Sequence, residues 1–136
     1  MAFLQRGRCS SALAAAVNVI LVPWIYAQYC AAHMLSALGR CLTFDAGADG
    51  YARAEGISAF FLSAGSELET SAVSVAAVGV NNDGRSASLT APNGPAQQHV
   101  MNLAMAEASM QPAELGLMEC HGTGTSLGDP IELGAL

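Results

Sequence analysis

Lysine is absent from this sequence. The 136 residues carry their basic charge on arginine alone (Arg6, Arg8, Arg40, Arg53 and Arg85), and eleven acidic residues bring the net charge to −6. A phosphate-binding P-loop needs its lysine, so that class is excluded. Nucleic acid as a partner is excluded too, because it demands clustered positive charge against phosphates. Charge of either sign is scarce, at 12% of residues against 52% apolar. A chain of that balance is neither disordered nor a solvating tail. Paired CxxC motifs are also missing. Cys9, Cys30, Cys41 and Cys120 are scattered singly, which removes zinc-ribbon and thioredoxin readings and leaves no metal site to expect. Scattered thiols of this kind are ordinarily reduced core residues, so a cytoplasmic setting is expected, with the plastid as the other reducing option.

From Cys9 to Gly39 there is no Asp, Glu, Lys or Arg. Arg6 and Arg8 ahead of Ala12–Val22 mimic a secretory signal. The run before Pro23 is too short to cross a bilayer and contains Asn18, and a buried internal strand reads equally well as a continuous apolar stretch. Composition alone leaves these open.

Further along, Pro23 ends the run and Trp24–Leu35 reads as one or two helical turns. Leu42–Tyr51 is turn-rich, Ile57–Leu62 a short strand, and Ser63–Thr70 a polar connection. Ser71–Val80 alternates as a strand and Asn81-Asn82-Asp83-Gly84 is a turn. Pro95 opens a helix over Ala96–Met110. Leu115–Glu119 reads as a strand running into a Gly/Thr loop. Asp129 then caps a last helix that has Pro130 in its first position. The order is that of an α/β protein.

The chemistry concentrates in Glu119-Cys120-His121-Gly122-Thr123-Gly124-Thr125-Ser126-Leu127-Gly128-Asp129-Pro130-Ile131-Glu132. A histidine at the carboxyl end of a strand stands where α/β sheets place ligand crevices. The glycines let a substrate approach the backbone, and the threonines supply uncharged hydroxyls. The glycine spacing misses the dinucleotide-binding register by one residue.

This run closely resembles the H-G-T-G-T-x-x-G-D-P-x-E signature of ketosynthase domains in type I polyketide synthases and their fatty-acid relatives. Gly39–Tyr51 is similar to the family's G-R-C-x-T-F-D-x-x-A-D-G-Y, and Arg53-Ala54-Glu55-Gly56 to its R-G-E-G. Val80–Ser86 and Leu89–Gly94 look like V-N-x-D-G-R-S and L-T-A-P-N-G. The matches fall in family order over nearly the whole chain. The resemblance implies a thiolase-like layered αβαβα sandwich, here incomplete. Residues 1–65 would close the N-terminal half and residues 66–136 open the C-terminal half. It implies decarboxylative condensation of acyl and malonyl thioesters, and a homodimeric parent domain. It also implies acyl carrier protein as partner, whose phosphopantetheine arm carries the substrate, with no bound cofactor and no membrane. On the matching positions, His121 is the first of the family's two catalytic histidines. Thr123 and Thr125 line the phosphopantetheine arm, and Glu132 and Asp129 give structural support.

Arg8-Cys9-Ser10-Ser11-Ala12-Leu13 tempts comparison with the family's nucleophile motif T-A-C-S-S-S-L. Residues Gly7–Val19 instead fit the later strand G-E-C-D-x-A-L-A-G-G-V-N-V without a gap, which makes Cys9 a strand cysteine and Ala12–Leu21 a buried internal strand. A nucleophilic cysteine needs the helix N-terminus that lowers its pKa, and that helix is missing from this register. The chain thus begins after the nucleophile and stops after the first histidine, with no counterpart of the second histidine, the active-site lysine or the glycine-rich loop. Ala14–Ala16 and Ala54 stand where the family has glycines. His33 replaces a position often glycine. Two alternatives to a partial condensing domain are weighed beside it: a non-catalytic ketosynthase-like module for dimerisation or carrier binding, and a small Cys9/His121 thiol acyltransferase.

Overall fold

The computed structural model describes residues 2–65, 73–86 and 91–136. In order they form helix α1 (Ala2–Gln5), strand β1 (Ser11–Asn18), helix α2 (Pro23–Ala31), strand β2 (Gly56–Ser63), helix α3 (Gly94–Ala108), a 3-10 turn (Pro112–Glu114) and helix α4 (Gly128–Ala135). Part of the expected connection Ser63–Thr70, the first two residues of the expected strand Ser71–Val80, and Leu89 and Thr90 lie outside the described residues. The chain divides into two compact units, one built from the described residues of Met1–Leu21 and Ala54–Val78, the other from those of Val22–Arg53 and Gly79–Leu136.

The first unit is an antiparallel ribbon. β1 and β2 pair from Ser11↔Ser63 to Asn18↔Gly56, and the amide of Ala64 extends the ladder to the Ser10 carbonyl. The other end is tied by the Asn18 side-chain amide to the Ala54 carbonyl and by the Ile20 amide to the Glu55 carboxylate at 2.6 Å. With a period of two, Leu13, Ala15 and Val17 share one face with their partners Phe61, Ala59 and Ile57. That face is apolar throughout. It is nevertheless open: Leu13 is 71% exposed, Val17 68%, Ile57 84% and Phe61 74%. β1 therefore departs from the expected buried strand in two ways. It stops at Asn18, and no described element covers it. Its register comes from the ladder, since alanine-rich β1 has little strand propensity of its own.

In the second unit, Pro23 stands in the first turn of α2, where its missing N–H costs nothing. The helix ends in a Schellman arrangement. The amide of His33 donates to the Cys30 carbonyl and that of Met34 to the Tyr29 carbonyl, with His33 left-handed at φ 54°. His33 thus adopts a conformation that favours glycine. Leu35 and Tyr51 form a short parallel bridge. The Tyr51 ring meets the Tyr29 ring edge-on at 6.5 Å, and the Arg53 guanidinium lies over Tyr29 at 4.7 Å.

α3 begins two residues before the expected Ala96. Asn93 caps it by accepting the Ala96 amide, while its own side-chain amide donates to the Asp83 carbonyl at 2.8 Å and so fastens residue 83 to the helix start, although the turn expected over 81–84 is not formed. Ser109, left-handed at φ 55°, closes the other end in the same Schellman pattern. The strands expected over Ser71–Val80 and Leu115–Glu119 are not formed among the described residues. A strand exists only through a hydrogen-bonded neighbour, and neither segment has one there. Among the described residues, buried apolar ones are few: Leu4, Ala91 and Ala135. No described helix is long and apolar enough to cross a membrane.

Candidate functional site

All five sequence-predicted site residues lie on one loop and the helix that follows it. Residues 121–127 lead into α4, which begins at Gly128 rather than after an Asp129 cap. The Asp129 side chain does not cap the helix. It turns back and accepts the amides of Gly124 at 3.1 Å and Thr125 at 3.4 Å on one oxygen, and that of Phe44 at 2.8 Å on the other. The carboxylate is 4% exposed, and these three donors are what make its burial tolerable. Capping falls to Thr125, whose hydroxyl accepts the Gly128 amide at 3.0 Å and whose carbonyl accepts the Asp129 amide.

Glu132, one turn further on, faces the same loop. Its two oxygens accept the consecutive amides of His121 at 2.6 Å and Gly122 at 2.9 Å. The carboxylate thus supports backbone.

A second segment, residues 41–51, braces the loop from the other side. The Thr43 hydroxyl donates to the Gly122 carbonyl at 2.6 Å, and the Gly50 amide donates to the Gly124 carbonyl at 2.9 Å. The approach is close enough to dictate residue type. Gly124 has φ 72°, and a Cβ there would stand 2.7 Å from the Leu42 nitrogen; Gly122 has φ 54°, and its Cβ would stand 2.6 Å from the Thr43 methyl. Thr43 and Gly50 were missed as site residues by sequence reasoning. The signal was present in Gly39–Tyr51, which matches a family motif but carries no side chain that advertises chemistry.

The loop therefore spends its amides on carboxylates and its glycine carbonyls on Thr43 and Gly50. It has no backbone donors at 121, 122, 124 or 125 left to cradle an anion. What it offers a ligand is side chains: the exposed His121 imidazole and the Thr123 and Thr125 hydroxyls, which stand 3.2 Å apart. Cys120 is half-buried and reduced, and Cys41 accepts the Ala52 amide at its sulfur. Residues 115–119, directly before this loop, form no strand, contrary to expectation. A groove of about 370 Å³ between the start of α3 and the later part of α4 is lined by Pro92, Gly94, Pro95, Gln98, Ile131, Gly134 and Ala135. None of the five site residues lines it. Among the described residues no three His, Cys, Asp or Glu side chains are grouped to hold a metal ion.

Comparison with known proteins gives the family. Residues 1–68 match the family described as beta-ketoacyl synthase, N-terminal domain, and residues 72–136 that described as beta-ketoacyl synthase, C-terminal domain. Polyketide synthase GfsE of Streptomyces halstedii is 44% identical over 137 residues, covering 98% of this chain and 4% of its own length. Erythronolide synthase EryA2 of Saccharopolyspora erythraea is likewise 44% identical, covering 100% of this chain and 4% of its own. Among solved structures, the oxazolomycin ketosynthase domain OzmH KS7 of Streptomyces albus superposes with a TM-score of 0.90 at 38% identity, over 98% of this chain and 24% of that one. The ketosynthase from module 6 of the bacillaene synthase of Bacillus subtilis gives 0.90 at 33% identity, over 98% and 25%. The chain thus spans about a quarter of these ketosynthase structures and shares their thiolase-type α/β fold over that span.

Proposed function

Because the chain belongs to the beta-ketoacyl synthase family, we propose that it is the central part of a ketosynthase domain that elongates acyl chains by decarboxylative Claisen condensation. The similar proteins are polyketide synthases, which favours polyketide over fatty-acid extension. Residues 1–65 end the N-terminal half and residues 66–136 begin the C-terminal half; the change of family match between residues 68 and 72 supports that division.

In this reading an acyl group waits as a thioester on a cysteine that is none of the four here. The carboxylate of a malonyl thioester leaves as CO2, and its electron pair forms an enolate. The enolate carbon attacks the acyl carbonyl, the new C–C bond forms, and the C–S bond breaks to return the thiolate. His121 donates an imidazole N–H to the developing enolate oxygen, which a neutral ring does without burying a permanent cation. Thr123 and Thr125 contact the phosphopantetheine arm of an acyl carrier protein, and Asp129 and Glu132 hold the loop. The parent domain is a homodimer, placed in the cytoplasm; the relatives found are bacterial, so the plastid alternative has no support.

One observation supports this proposal above the others: the loop's amides at 121, 122, 124 and 125 are taken by two carboxylates, which leaves the imidazole and two hydroxyls that the ketosynthase signature specifies as the groups it offers a ligand. The test is replacement. When these 136 residues stand in for the matching quarter of the bacillaene module 6 ketosynthase, the chimera condenses acyl and malonyl thioesters. A folded chimera that is acylated but forms no ketide product would overturn the proposal.

A further inference from the structure

Asp129 and Glu132 are three residues apart on α4 and therefore share one face of the helix. Between them they take four amides of the histidine loop: Glu132 those of His121 and Gly122, Asp129 those of Gly124 and Thr125. The division of labour is not symmetrical. Asp129 also reaches the Phe44 amide, so its role is to join the loop to the 41–51 segment. Glu132 reaches nothing beyond the histidine and its neighbour, and its bond to the His121 amide is the shortest of the four. Two charge-assisted bonds to consecutive amides fix the peptide plane between residues 121 and 122 and the direction in which the His121 side chain leaves the backbone. Gly122, the freest backbone in the loop, would otherwise let that plane rotate.

We infer that Glu132 is a positioning residue for the His121 imidazole, acting through the two amides. The inference rests on His121 being the reactive group of the proposed pocket, but its structural content stands or falls without enzyme turnover. A Gln at 132 keeps the size and one carbonyl acceptor while losing the second acceptor and the charge. An Asp keeps the charge and lacks one methylene of reach.

The experiment is heteronuclear NMR of the 136-residue chain. In the unmodified protein, couplings across the hydrogen bonds connect the His121 and Gly122 nitrogens to the Glu132 carboxylate carbon, and three-bond couplings show one His121 χ1 rotamer. Glu132→Gln speeds exchange of the His121 and Gly122 amides by about tenfold or more and averages the His121 rotamer, while the Gly124 and Thr125 amides keep their protection. Glu119→Gln, at an exposed carboxylate two residues before His121, changes none of these. Missing couplings in the unmodified chain overturn the inference, and so does a single fixed His121 rotamer in Glu132→Gln. If instead condensation fails in the chimera while these couplings are present, the functional proposal falls and the positioning role remains.

Discussion

The Asp129 carboxylate accepts the amide of Phe44, 85 positions earlier in the chain, at 2.8 Å. That bond and the two to Gly124 and Thr125 make one buried side chain the junction of the two segments that shape the candidate site. Phe44 itself is held at φ 58°, a left-handed conformation that a bulky residue adopts only when its surroundings enforce it.

Asp129→Ala should therefore be the most damaging single change in the loop. It strands three amides and removes a charged acceptor, a loss of about 3 kcal/mol or more in local stability. Hydrogen exchange should show the Phe44, Gly124 and Thr125 amides deprotected together, and exchange confined to one of them would break the junction apart as an idea.

The two loop glycines should rank unequally. A Cβ on Gly124 meets backbone, the Leu42 nitrogen, whereas one on Gly122 meets the movable methyl of Thr43. Both alanines pay for a left-handed backbone at about 1 kcal/mol, so Gly124→Ala should cost clearly more than Gly122→Ala in urea unfolding. The reverse order would contradict the described contact.

His33 and Ser109 occupy left-handed helix-terminal positions that favour glycine. His33→Gly and Ser109→Gly should each stabilise by roughly 0.5–1 kcal/mol, the relief of strain being partly offset by the freer unfolded chain. Thermal unfolding of the two variants and their combination reads this directly, with near-additivity expected for two separate helix ends.

How far the sequence spoke depends on the scale at which each feature is encoded. α3 and α4 were legible because their signals are local, a proline in the first turn and residues that favour a helix start. The ketosynthase resemblance was legible because motif order survives in one dimension. Leu115–Glu119 reads as a strand for good reasons, yet a strand needs a neighbour, and none is formed among the described residues. Asp129 was misassigned as a cap because the same residue type at the same spacing serves either end of a choice that only the position of Phe44 decides. That Glu132 accepts the His121 and Gly122 amides was invisible without the fold.

The open face of Leu13, Val17, Ile57 and Phe61 should make the isolated chain bind hydrophobic dye and self-associate. Phe61→Glu should reduce association in sedimentation velocity with little cost in folding, because Phe61 is already largely exposed. Undiminished association would place the contact elsewhere.

None of the four cysteines should serve as nucleophile. After incubation with an acyl thioester, intact-mass analysis should show no acyl adduct at Cys9, Cys30, Cys41 or Cys120; Cys9 lies two residues before β1 rather than in the strand expected for it, and its stoichiometric labelling would reverse the register that separates it from the nucleophile motif.

The most direct measurement is release of CO2 from a malonyl thioester by the bacillaene chimera carrying His121→Ala. Loss of a hydrogen-bond donor to the enolate oxygen should slow decarboxylation by about a hundredfold or more, with acylation of the chimera's own cysteine intact. Decarboxylation at the unmodified rate would show that this imidazole takes no part in the condensation chemistry.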